Sequence, residues 1–148
     1  MVRRFGLFRR RPQSQARSTG QARSAERIMR ELNPNVQIHR DQNHLIFIED
    51  VRDSEEDNRW YRIEYRCTQD GQHAIAYCLS NPWDRDSPCA GYAASSCHVF
   101  ADGLICLGSG EHRDVYSSSF TLSDAVSRAR FWCLGFSVFK ETGEFPEA

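Results

Sequence analysis

Tyr61-Arg62-Ile63-Glu64-Tyr65-Arg66-Cys67 alternates apolar and charged side chains without a break, the period of a strand with one face buried and one face wet. Asp70-Gly71 then supplies a hairpin turn into a returning strand over His73 to Leu79. Upstream, Val36 to His39 and His44 to Ile48 are rich in branched and aromatic residues and flank the turn Asp41-Gln42-Asn43. Four consecutive strands joined by turns predict an antiparallel meander, with an acidic loop over Asp50 to Asn58 between the second and third. Helical patterns lie on either side of it. Ser24 can cap a first helix carrying Ile28, Met29 and Leu32, which Asn33-Pro34 ends. Thr121 with Asp124 resembles a capping box, and Leu122, Val126, Ala129, Cys133, Phe136 and Phe139 recur at helical spacing up to Gly143. The aromatic residues Phe131, Trp132, Phe136 and Phe139 are expected in the core. The fold class read from this order is α+β.

At 148 residues, with 40% hydrophobic and 26% charged side chains, the chain suits one domain with its own core and neither a disordered nor a fibrous class. Its charge is unevenly spread. Residues 1–25 hold seven arginines and no acidic residue, so the whole-chain net of -1 leaves -8 on residues 26–148. Residues 1–23 read as a basic flexible arm and residues 24–148 as the folded domain. The arm is a solvated tail or a contact for an anionic partner, and nucleic acid is not the expected one. No apolar stretch has the length of a membrane span or a secretory core, which leads to an expectation of a cytoplasmic protein with no membrane partner.

Six cysteines (67, 78, 89, 97, 106 and 133) form no Cys-x-x-Cys pair and are expected as reduced thiols, mostly buried. A zinc site from Cys89, Cys97, His98 and Cys106 has spacings that match no common knuckle, so neither a metal nor any other cofactor is expected. Cys106 stands apart. It follows an irregular segment over Ser80 to Ser96 and lies in Gly103-Leu104-Ile105-Cys106-Leu107, directly after the Asp102-Gly103 turn, with His98 a short way upstream. The bland alternatives are a core thiol at Cys106 and a histidine that satisfies backbone carbonyls at His98.

Gly103-Leu104-Ile105-Cys106-Leu107, set between a meander and a closing helix, resembles the Gly-x-Ile-Cys-Leu site of ubiquitin-conjugating enzymes, and His98 takes the approximate place of their His-Pro-Asn histidine. Val99 and Phe100 stand where Pro and Asn would be. That departure, and the ending Thr142-Gly143-Glu144-Phe145-Pro146, resemble the bacterial conjugating-enzyme-like proteins encoded in antiphage defence operons. The resemblance spans residues 24 to 146 and implies a ubiquitin-conjugating-enzyme-like fold. It also implies a carrier that accepts a ubiquitin-like protein from an activating enzyme as a thioester on Cys106 and passes it to an amine. Because the first helix contacts the activating enzyme in that family, Arg23, Arg27 and Arg30 become partner-binding candidates.

The chemistry asks for a thiolate and for a donor to the tetrahedral oxyanion. With no Asn, backbone amides near Cys106, the hydroxyls of Ser95 or Ser96, or His98 are the candidates for that donor. Asp102 or Asp114 is the candidate to take the incoming amine's proton. Two other functions fit the same residues. One is a binding module of the same fold that positions a ubiquitin-like protein or its activating enzyme; the other is a hydrolase pairing Cys106 with His98.

Overall fold

The computed structural model describes residues 25–56, 58–84, 94–108 and 110–146. In chain order these form helix α1 (residues 25–32), strands β1 (Gln37–Arg40), β2 (Leu45–Arg52), β3 (Trp60–Cys67) and β4 (Ala74–Ser80), a four-residue helix α2 (Ala94–Cys97), a 3-10 turn (Val115–Ser117) and helix α3 (Leu122–Thr142). The strands make one sheet in the order β1-β2-β3-β4, each neighbouring pair antiparallel. This is the expected meander, and the class is α+β.

One face of the sheet is built in rungs. Leu45, Cys67 and Ala74 share one, Phe47, Tyr65 and Ala76 the next, and Glu49, Ile63 and Cys78 a third. All nine side chains are buried, as the alternation in β3 requires. Small residues on β4 leave room for α3, which lays Leu122, Ala125, Val126, Ala129, Trp132, Cys133 and Phe136 against the sheet. Thr121 caps this helix by accepting the Asp124 amide at 3.2 Å, and Gly143 ends it in the left-handed conformation, φ +88°. Both ends fall where the sequence places them. No helix among the described residues is long and apolar enough to cross a membrane.

Glu49 is the one acid on the buried rungs, and its partners explain why it is tolerated. It accepts from Tyr65 Oη at 2.5 Å, from Asn33 Nδ2 at 2.9 Å and from Arg130 Nη2 at 2.7 Å. The network joins β2, β3, the end of α1 and the middle of α3, and every oxygen of the buried carboxylate is satisfied.

Asp70-Gly71 forms the expected turn between the antiparallel strands β3 and β4, with Gly71 at φ +73°, in a connection longer than a two-residue turn. The longer loop has other bonds to make: the Gly71 carbonyl accepts the Leu122 amide at 2.9 Å, and Gly71 packs on Ala25 of α1. On α1 itself the buried residues are Ala25 and Met29, with Ile28 partly covered, while Leu32 is exposed. Phe131, expected in the core, is exposed as well, because Trp132 and Cys133 occupy the side of α3 that meets the sheet. The expected Ser24 cap lies outside the described residues.

Candidate functional site

Residues 98–106 form a tight hairpin fastened to the open edge of β4. The Ile105 amide donates to Ala76 O at 2.9 Å and the Cys78 amide to Gly103 O at 2.8 Å. Gly103 makes the junction possible. It sits at φ +95°, and a Cβ there would lie 2.5 Å from Cys78 O, so no side chain fits. The Asp102-Gly103 turn therefore docks the segment that ends in Cys106.

Within the hairpin, Val99 pairs with Ile105, and the Cys106 amide donates to His98 O at 2.9 Å. His98 and Cys106 thus face each other across the hairpin as one rung. The approach to the rung is constrained. The Cys97 carbonyl accepts Trp132 Nε1 at 2.8 Å, and His98 takes φ +56°, the single non-glycine residue with positive φ among those described.

Five cysteines fall among the described residues. Cys67, Cys78, Cys97 and Cys133 are buried and Cys106 is partly exposed. Burial pushes the Cys67 thiol up to about 12 and raises Cys133 well above the usual thiol range, so neither forms thiolate at neutral pH. Cys106 instead opens onto a groove of about 1060 Å³ along α3, lined among others by Ser96, His98, Arg128, Phe131 and Phe145.

Two elements to which the sequence assigned no part in the site shape this groove. Arg128 stacks over the Phe120 ring at 4.7 Å and donates to Leu107 O at 3.0 Å, holding a cation beside the residue that follows Cys106. Beyond Gly143 the chain turns back along α3 and seats Phe145 on Gly135, where a Cβ would come within 2.4 Å of the ring. Phe145 also packs against His98, with ring centroids 4.7 Å apart. An arginine at i+4 from an N-terminal helical residue carries no mark of its target in one sequence, and the Gly135 seat becomes visible once the tail's path is known.

The other predicted site residues are dispersed. Ser96 lines the groove with Cys106 and His98, while of Ser95 only the backbone is described. Asp102 sits at the hairpin's turn, away from the groove lining, where its carboxylate ion-pairs with Arg113 and accepts the Leu104 amide at 3.3 Å. Partial burial, the largest single influence on that carboxyl, pushes it up, but Arg113 and the backbone amides together outweigh burial and hold it below the ordinary value. Such a carboxylate is a poor proton acceptor. Asp114 is also committed locally, capping the 3-10 turn through the Tyr116 amide at 3.2 Å. The Cys106 amide, one of the expected oxyanion donors, is taken by His98 O. Arg27 and Arg30 are exposed on α1; Arg23, like Cys89, lies outside the described residues.

Val99 and Phe100 now have a physical role. Val99 is fully buried with Ile105 in the main core, and Phe100 packs on a second cluster of Ile75, Leu104 and Val115 beneath Arg113. Both glue the hairpin to the sheet. Comparison with known proteins finds no matching family model, no matching curated protein and no matching solved structure.

Proposed function

We propose that the chain is a ubiquitin-conjugating-enzyme-like acyl carrier and transferase, taking a ubiquitin-like protein from an activating enzyme onto Cys106 and passing it to an amine on a target. The observation that carries this reading is the placement of Cys106. Among the described residues it is the partly exposed thiol beside four buried ones, docked by a glycine turn and opening onto a long groove. An α+β order of helix, four-stranded meander and long closing helix supports assigning the fold to that family as well. A bacterial defence operon that supplies the modifier and activating enzyme is the setting we infer from the resemblance, and the cytoplasm is the location we propose from the sequence.

In the first step the Cys106 thiolate attacks the carbonyl carbon of the modifier's thioester, the tetrahedral oxyanion collapses, and the activating enzyme's thiolate leaves. In the second, a deprotonated amine attacks the Cys106 thioester, an amide forms, and the Cys106 thiolate is released. Oxyanion stabilisation falls to groove groups in place of the absent Asn. Arg128 donates to Leu107 O, next to Cys106, and Ser96 and His98 line the same groove. With Asp102 and Asp114 engaged elsewhere, the amine's proton passes to His98 or to water.

A second reading has its own observation. Val99 and Phe100 are packing residues with no side-chain donor to offer, which suits a binding module that positions a ubiquitin-like protein without carrying it. One experiment separates the two: the chain is mixed with the activating enzyme and ubiquitin-like protein encoded beside it and ATP, then run on a non-reducing gel. A thiol-sensitive adduct lost in Cys106→Ala supports the carrier, and a complex that persists in Cys106→Ala with no adduct in the parent chain supports the module.

A further inference from the structure

We infer that Phe145 is a positioning residue for Cys106, acting through His98; this rests on Cys106 being the reacting thiol. Phe145 touches three things: the bare backbone of Gly135 on α3, the Phe131 ring at 6.5 Å between centroids, and the His98 ring at 4.7 Å. Its seat is specific, since any side chain at 135 would overlap the ring. What it braces is a residue in a sparsely populated conformation. His98 holds φ +56° while its carbonyl takes the Cys106 amide at 2.9 Å, and such a backbone persists only where its surroundings over-determine it. Trp132 fixes the carbonyl just before His98, at Cys97, and the Val99–Ile105 pairing fixes the residue just after. The His98 side chain is exposed and the Phe145 ring packs against it, so Phe145 is the third point of the clamp. Phe145 thereby sets the rung that presents the thiol to the groove, although it is 39 residues from Cys106 in sequence and lies beyond α3.

The test is iodoacetamide alkylation of each cysteine in the full-length chain, followed by peptide mass mapping. Phe145→Ala loosens the rung and speeds Cys106 labelling by roughly fivefold, the scale expected for loss of one aromatic pair. His98→Ala gives a similar increase, the double variant gives no further one, and Phe145→Tyr restores the parent rate. Gly135→Ala favours the helix while evicting the ring, so it reproduces the effect in a chain that keeps its fold. Cys97 and Cys133 stay unlabelled throughout. An unchanged Cys106 rate in Phe145→Ala, additive effects of residues 98 and 145, or labelling of Cys97 and Cys133 alongside Cys106 would each overturn the positioning role. A parent chain that fails to be charged by activating enzyme and ATP while the alkylation pattern holds would refute the carrier reading and leave the clamp standing.

Discussion

Cys106 differs from the other described cysteines in exposure, which decides whether a reagent can reach a thiol. Cys67 and Cys133 are sealed in the core with their ionisation pushed up by burial, whereas Cys106 faces a groove. Brief alkylation at neutral pH is therefore expected to modify Cys106 ahead of Cys67, Cys78, Cys97 and Cys133, as peptide mapping would report. Labelling of any of the four before Cys106 would contradict this. Much of that contrast was legible in the sequence, because Asp102-Gly103 ahead of an apolar run announces a turn and a docked strand. The individual roles of Val99, Phe100 and Asp102 were not. A sequence gives residue types, but whether Phe100 packs on a second cluster or Asp102 pairs with Arg113 depends on what the fold brings alongside. Asp102 carries a pH prediction. Its carboxyl is held below the ordinary value, so its stabilisation is present above the unfolded value of about 4 and is lost as pH falls through the folded one. Asp102→Asn should flatten the loss of stability in that acid window, read from urea midpoints, while leaving Cys106 labelling near neutral pH within about twofold.

At the scale of elements, the periods in the chain were decisive. Alternation over 61–67 placed β3 and its buried face, and helical spacing with Thr121 and Gly143 placed α3 to the residue. Thr121→Ala should cost about 1 kcal/mol in chemical denaturation, the usual loss when a side-chain cap is removed. Periodicity was weaker where an element has two margins. Phe131 belongs to α3's apolar composition yet meets the groove, and Leu32 satisfies the spacing of α1 yet is exposed, since spacing fixes which residues share a face and not how wide the partner surface is. The hairpin at 98–106 shows the same limit. Its turn could be read, but the free edge of β4 that receives it could not. Gly103→Ala must both leave φ +95° and clear Cys78 O, and a loss of about 2 to 3 kcal/mol with accelerated labelling of Cys106 is expected.

Over the whole molecule, the Glu49 network ties the sheet to α1 and α3. Arg130→Met leaves the buried carboxylate without its cation and should destabilise the chain by roughly 3 kcal/mol. By contrast, Arg62→Ala removes an exposed pair with Asp50, 2.9 Å apart, and should change stability by less than about 1 kcal/mol. The basic residues 1–25 set against a net -8 on the remainder lead to a different expectation: deleting residues 1–20 should slow charging at low salt and matter less at high salt, where such attractions are screened. The central claim is that Cys106 carries the modifier, and intact mass spectrometry reads it most directly. Incubated with the activating enzyme, its ubiquitin-like protein and ATP, the chain should gain the modifier's mass less one water, mapped to Cys106 and removed by added thiol. Cys106→Ser should hold the same mass as a thiol-resistant oxyester. No mass gain, or a gain that persists in Cys106→Ala, would contradict the account.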